Sequence, residues 1–201
     1  MFYAGGLVGA CSQESSQFSY FKNSYNHGEI VVSEWPEDWM AYGMNDMQLS
    51  AGLVSLFGSA KMVNCYNTGK VISQCELSKH CSSGILGMMT DISDYDSRIY
   101  NCYSAGELVA GLEEWIYGVG EIYLRNIDNV YSMDQYMRHI AFNGKVEEWK
   151  ESCVLPKDAF TDGTVLAALQ GYATSGTASY DELDTLCGWV QGKQGPVFDW
   201  E

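Results

Sequence analysis

Apolar and polar positions alternate in short runs over the first two thirds of the chain, and glycines punctuate the runs. Four runs share one pattern: an apolar residue, then Asn and Tyr at two-residue steps. They are Phe21-Asn23-Tyr25, Met62-Asn64-Tyr66, Ile99-Asn101-Tyr103 and Ile127-Asn129-Tyr131. In the first three, Gly28, Gly69 or Gly106 follows, then a charged residue (Glu29, Lys70, Glu107) and an aliphatic one (Ile30, Val71, Leu108). That order predicts a strand, a turn that needs glycine, and a short second strand with one face in and one out. Asn26, Asn67 and Ser104 stand just before those glycines and are turn formers.

A second element precedes each copy. Gly6-Leu7-Val8-Gly9, Gly52-Leu53-Val54-Ser55 and Gly84-Ile85-Leu86-Gly87 align, and Gly118-Val119-Gly120-Glu121 is a weaker fourth. An apolar side chain follows each at a fixed distance: Cys11, Phe57, Met89 and Tyr123. Short β-prone runs bounded by glycine read as buried strands rather than helices. The interval from this element to the Asn varies, with polar inserts at 12–19 and 90–97 and a larger one at 33–48. Loops on a rigid stack tolerate this, because closing a longer loop adds little entropy. Strict alternation would put the apolar residue, Asn and Tyr on one face and Cys65 and Cys102 on the other. The residues before Asn (Lys22, Val63, Tyr100, Asp128) are mixed, which points to a bend at Asn.

Self-similarity at intervals of a few tens of residues marks a stacked or coiled architecture. The expected fold is mainly β: a right-handed β-helix or solenoid of three to four coils over residues 1–137, with a small α/β C-terminal cap over 138–201. The motifs resemble the GLUG repeat, named for its Gly-Leu-hydrophobic-Gly element. Gly6-Leu7-Val8-Gly9 and Asn64-Cys65-Tyr66-Asn67-Thr68-Gly69 carry the resemblance, which covers residues 4–136. Copy four departs from it, with Asp134 where the turn glycine belongs. GLUG repeats occur in large secreted or wall-attached bacterial proteins, including adhesin-like proteins and immunoglobulin A peptidases, as accessory and not catalytic parts. The resemblance therefore implies a module outside the cell, at the bacterial surface, with no activity and no cofactor of its own.

After Tyr136 the repeat fades. Residues 146–152 suit a short helix and 158–172 a longer one, capped by Thr161 or Asp162 and striped by Val165, Leu166 and Leu169. Residues 181–187 suit a helical turn, and 195–200 a closing strand. A stack exposes an apolar end and an unpaired edge, so this segment reads as its cover. GLUG proteins often end in a similar helix, then Trp, then Pro segment, which Trp189 and Gly195-Pro196 resemble. An independent small domain is the other reading.

The formal net charge of −15, from 11 basic and 26 acidic residues, lacks the Lys and Arg clusters that nucleic acid or an anionic membrane requires. No run of about twenty apolar residues is present, so no membrane insertion is expected. No leader pattern opens the chain, and a repeat element follows Met1 almost at once. The expectation is a start inside a larger array, with secretion left open. An uncovered first coil would allow end-to-end association between copies. The seven cysteines are odd in number. Cys65 and Cys102 occupy matching positions, roughly 5 Å apart in stacked strands, where free buried thiols fit better than a bridge.

Candidate chemistry is sparse. His27, His80 and His139 sit in unrelated contexts, and no His-Glu-x-x-His occurs. Cys75, His80 and Cys81 cluster, but the second ligand pair of a zinc site is missing. Free thiols or a Cys75–Cys81 bridge remain. Asp91, Asp94 and Asp96 share one loop and make a weak Ca²⁺ candidate without the EF-hand spacing. Glu29 and Glu107 occupy matched positions, as paired carboxylates of a polysaccharide-cleaving β-helix would, but Lys70 lies between them. An alternating column of that kind reads as cross-strand pairing on a wet face. Trp35 and Trp39 lie in the acidic insert, where they either stack on a host or cell-surface glycan or protein, or fold back over the stack.

Overall fold

Glycine-bounded runs of aromatic, β-branched and small residues favour extended backbone, and strands form where the repeat sets them. The computed structural model describes residues 2–11, 19–33, 48–58, 60–74, 80–89, 98–111, 116–121, 127–134, 138–142, 145–146, 153–174 and 186–201. The repeat region holds β1 (Phe2–Gly5), β2 (Val8–Cys11), β3 (Ser19–Asn26), β4 (Ile30–Val32), β5 (Gln48–Ala51), β6 (Val54–Phe57), β7 (Ala60–Asn67) and β8 (Val71–Ser73). Next come β9 (His80–Ser83), β10 (Leu86–Met89), β11 (Arg98–Ser104), β12 (Leu108–Ala110), β13 (Ile116–Glu121) and β14 (Ile127–Met133). The C-terminal region adds β15 (Arg138–Phe142), β16 (Lys145–Val146), β17 (Val154–Leu155), a 3-10 turn (Lys157–Phe160), α1 (Thr164–Thr174), β18 (Trp189–Gln191) and β19 (Pro196–Phe198).

The protein is mainly β, with parallel sheets. The largest runs β1-β5-β9-β13-β10-β6-β2, continued beyond β13 by β15 and β16. The others run β17-β14-β11-β7-β3, β12-β8-β4 and β18-β19. Strands β1 to β4 thus form a first layer, β5 to β8 a second and β9 to β12 a third, each strand beside its counterpart. Register follows the repeat: Met62 pairs with Phe21 and Ile99, Tyr66 with Tyr25 and Tyr103, and Val71 with Ile30 and Leu108. Like residues therefore meet between layers.

Two cores result. The inner one gathers Leu53, Val54, Met62, Cys65, Ile85, Leu86, Ile99, Cys102, Val119 and Val130, all fully buried. Each such side chain contributes on the order of 1.5–3 kcal/mol if aliphatic. The outer one lies on the other side of β7 and β11, where Tyr66 and Tyr103 meet Phe160, Val165, Leu169, Trp189 and Phe198. Cys65 and Cys102 are free, buried thiols, and burial pushes the Cys102 thiol well above its ordinary pKa.

The repeat glycines are needed for a different reason from the turn the sequence suggested. Among the described residues only Gly163 (φ +95°) and Gly195 (φ +149°) have left-handed glycine backbone. Gly6, Gly52, Gly69, Gly84 and Gly106 are demanded by a neighbouring layer. A Cβ on Gly52 would lie 2.1 Å from the Gly84 carbonyl oxygen, and one on Gly69 2.1 Å from that of Gly28. Real Cβ atoms do not come so close, so only glycine lets these corners stack at strand spacing.

The expected 158–172 helix is broken. Gly163 separates the 3-10 turn from α1, and the Asp162 carboxylate accepts the Thr164 N–H at 2.8 Å, which holds that carboxyl below its ordinary pKa. Val165 and Leu169 are fully buried, as the stripe required. Val146 lies in β16 rather than in a helix, and 147–152 fall outside the described residues. Residues 181–185 also fall outside them, while 186–188 are irregular. Strand β19 forms within the predicted 195–200. Strands β15 and β17 pair with β13 and β14, so strand pairing runs across residue 137.

Candidate functional site

The flank of the sheet β3-β7-β11-β14 carries the repeated Asn and Tyr and receives the C-terminal segment. Its geometry starts at asparagine. Asn23, Asn64, Asn101 and Asn129 have φ of 48°, 55°, 51° and 54°. Asn tolerates this left-handed conformation better than most residues with a Cβ. Each one resets the alternation of its strand. Met62 and Cys65 therefore both face the inner core, while Tyr66 turns to the outer one. This is the bend that the mixed positions before Asn implied, and strict alternation fails there.

The four side chains form a ladder. Asn64 Nδ2 donates to Asn23 Oδ1 at 2.7 Å, Asn101 Nδ2 to Asn64 Oδ1 at 2.9 Å, and Asn129 Nδ2 to Asn101 Oδ1 at 2.6 Å. The C-terminal segment binds the same column. The Trp189 indole N–H donates to Asn64 Oδ1 at 2.6 Å, the Cys187 N–H to Asn23 Oδ1 at 3.0 Å, and Asn129 Nδ2 to the Ala168 carbonyl at 3.3 Å. A shorter column lies at the next corner. Asn67 Oδ1 accepts the Gly69 N–H at 3.1 Å, Asn26 Oδ1 accepts that of Gly28 at 3.0 Å, and Asn26 Nδ2 donates to Asn67 Oδ1 at 3.0 Å.

The tyrosines stack. Ring centroids are 5.2 Å apart for Tyr25 and Tyr66 and 5.1 Å for Tyr66 and Tyr103, tilted by 14° and 7°. Such pairs add about 0.5–1.5 kcal/mol beyond their area. The Tyr103 hydroxyl donates to the Pro196 carbonyl. The Tyr66 hydroxyl donates to Glu201 Oε1 at 2.6 Å, and that oxygen also accepts the Phe198 N–H at 2.9 Å. His27 Nε2 lies 3.1 Å from Glu201 Oε2 and 3.2 Å from the Tyr66 hydroxyl, and its Nδ1 contacts the Thr68 hydroxyl. Burial pushes the Tyr66 and Tyr103 phenols far above the ordinary tyrosine range. Burial also pushes the Glu201 carboxyl up, but the hydrogen bonds from Tyr66, the Phe198 N–H and His27 outweigh it and hold it low. A phenol that keeps its proton, facing a carboxylate that has lost its own, makes a durable latch for the C-terminal segment.

The repeat residues of the sequence reading (Gly6, Gly52, Gly84; Asn23, Asn64, Asn101; Tyr25, Tyr66, Tyr103; Gly28, Gly69, Gly106) all come together as columns. Lys70 Nζ lies 3.0 Å from Glu107 Oε1, as the alternating charge column required. Trp35, Trp39, Asp91, Asp94, Asp96 and Cys75 lie outside the described residues, as do the side chains of His80 and Cys81. Among the described residues no group of three or more His, Cys, Asp or Glu is placed to hold a metal ion. No described helix is long and apolar enough to cross a membrane. The seat of Trp189, Cys187 and Glu201 on the Asn and Tyr columns was missed from sequence. Only their amphipathic or polar character hinted at partners.

No protein-family model matches the chain, and comparisons with curated proteins and with solved structures returned no match either.

Proposed function

We propose that the chain is a non-catalytic module of a bacterial surface protein, a right-handed β-solenoid of three to four GLUG-type coils that works outside the cell as an adhesive surface or structural spacer. The observation that carries this reading is where the repeated groups go. The Asn amides bond to one another between layers, the Tyr rings stack, and the repeat glycines make room for the next layer's carbonyls. A signature devoted to stacking is a scaffold signature, because catalytic groups must face a substrate and not their own counterparts. The acidic surface and the resemblance to wall-attached GLUG proteins support the location.

The test incubates the intact chain with immobilised host and bacterial glycans and matrix proteins, and separately with acidic polysaccharides. Saturable retention without release of reducing ends, or inertness in both assays with intact folding, fits the adhesive or the spacer role. Turnover that disappears in Glu29→Gln and Glu107→Gln would replace the reading with a lyase or hydrolase.

A further inference from the structure

The turn after β19 holds Trp200 in one place and yet leaves it in the open. The residue is 57% exposed, although its ring is pinned. The indole N–H donates to Cys187 Sγ at 3.2 Å, and the ring stacks on Phe198 with centroids 5.6 Å apart and planes 24° from parallel. Tyr25 meets the same ring at 5.8 Å, tilted by 45°. The turn is closed by the Glu201 N–H on the Phe198 carbonyl at 3.1 Å and by the Phe198 N–H on Glu201 Oε1 at 2.9 Å. Phe198 is itself fully buried against Tyr66 and Trp189, so Trp200 stands on a fixed base. A ring fixed before binding loses little freedom when a ligand arrives.

The surroundings say which ligand. A tryptophan presents about 150–250 Å², so the exposed part of Trp200 is on the order of 100 Å². A protein partner takes about 800 Å² from each side. One ring is too small for that, and it matches the apolar C–H face of one pyranose. Polar groups border it: Asp199, next to Trp200 in the turn, and His27, whose ring lies 4.6 Å from that of Tyr25, are both exposed. The Tyr66 and Tyr103 hydroxyls are taken up by Glu201 and Pro196, whereas that of Tyr25 makes no hydrogen bond among the described residues. Carboxylates at 199 and 201 and a net charge of −15 oppose an anionic sugar. The Glu201 carboxylate offers a cation little, since Tyr66, the Phe198 N–H and His27 already occupy its two oxygens.

We propose that Trp200, with Tyr25 and Asp199 at its margin, binds an uncharged pyranose, a neutral hexose or N-acetylhexosamine of a glycan. The sugar stacks on the indole face turned away from Phe198, and its hydroxyls bond to the Tyr25 phenol and the Asp199 carboxylate. The site rests on the adhesive role proposed above and gives that role a ligand class.

The test exposes the intact chain to immobilised neutral oligosaccharides of hexose and N-acetylhexosamine, to sialylated and uronate-containing ones, and to tetramethylammonium chloride in solution. Neutral oligosaccharides should retain the chain saturably and, added in solution, should shift the Trp200 indole N–H resonance. Trp200→Ala should weaken retention about tenfold or more, and Trp200→Phe, which keeps a ring, should weaken it less. If Trp200→Ala does not fold, Trp200→Phe and the indole shift decide. Retention that Trp200→Ala leaves intact would overturn the site while the adhesive role stands. Inertness of the intact chain towards every glycan would overturn the site and the adhesive role together and leave the spacer. Preference for the acidic glycans, or an indole resonance that moves with tetramethylammonium and not with neutral sugars, would overturn the ligand class.

Discussion

Strands β3 and β7 carry nearly the same residues in the same order, yet one is half-buried along almost its whole length and the other is a core strand. Tyr25 and Tyr66 pair in register and stack, but among the described residues Tyr66 has a stacked tyrosine on each side, Tyr25 and Tyr103, whereas Tyr25 stacks on one, Tyr66. Gly28 is exposed and Gly69 buried. The difference teaches that in a stack of like layers the energetic weight of a residue is set by its neighbours above and below. The same substitution should therefore cost different amounts in the two layers.

The largest contrast should come from asparagine. Asn64→Ala removes a side chain bonded to Asn23, Asn101, Trp189 and Cys187 and leaves a Cβ residue at φ 55° without its local compensation. Lost bonds between buried groups and left-handed strain together should cost about 4 kcal/mol in urea unfolding. Asn23→Ala, in the half-buried strand β3, should cost less by the same reasoning. Equal losses would break the comparison.

Close approach comes next. Gly52→Ala drives a Cβ onto the Gly84 carbonyl and the Asn67 amide and should cost about 3 kcal/mol in urea unfolding. Gly171→Ala is the control. It lies in α1 with nothing within 4 Å of its Cβ position, so helix propensity should stabilise the protein by about 0.5–1 kcal/mol.

The tyrosine hydroxyls sharpen the comparison with a smaller effect than Gly52→Ala. Tyr66→Phe should lose about 1–2 kcal/mol with its bond to Glu201, and Tyr25→Phe less than about 0.5 kcal/mol. Tyr66 and Tyr103 have raised pKa values when folded, so the stability they carry is complete below the unfolded tyrosine value of about 10. It is lost as pH rises beyond that, because the unfolded chain releases protons that the folded one retains. Denaturant midpoints measured across the alkaline range should fall above that pH, and Tyr66→Phe should flatten the fall.

Much of the β architecture was legible because the repeat is written in residue identity. The four Asn-x-Tyr runs gave register, and parallel pairing of like positions follows from it. The bend at Asn was legible only as an anomaly: period-two alternation describes ideal strands, and a left-handed residue inside a strand breaks the period without altering composition. Glycine was visible but its cause was not, since crowding by a neighbouring layer is a property of the stack. The seat of Trp189 and Cys187 on the Asn ladder and the latch of Glu201 on Tyr66 join positions more than a hundred residues apart, which no local pattern encodes. The charge column needed only the repeat phase, and Lys70 with Glu107 follows it.

The central claim is that identical side chains meet between layers. Nuclear Overhauser contacts in the intact, isotope-labelled chain test it most directly. The account predicts cross-peaks between the ring protons of Tyr66 and those of both Tyr25 and Tyr103, and between the Asn64 side-chain amide and the side chains of Asn23 and Asn101. Assigned spectra in which Tyr66 and Asn64 contact other residues but not these counterparts would contradict it.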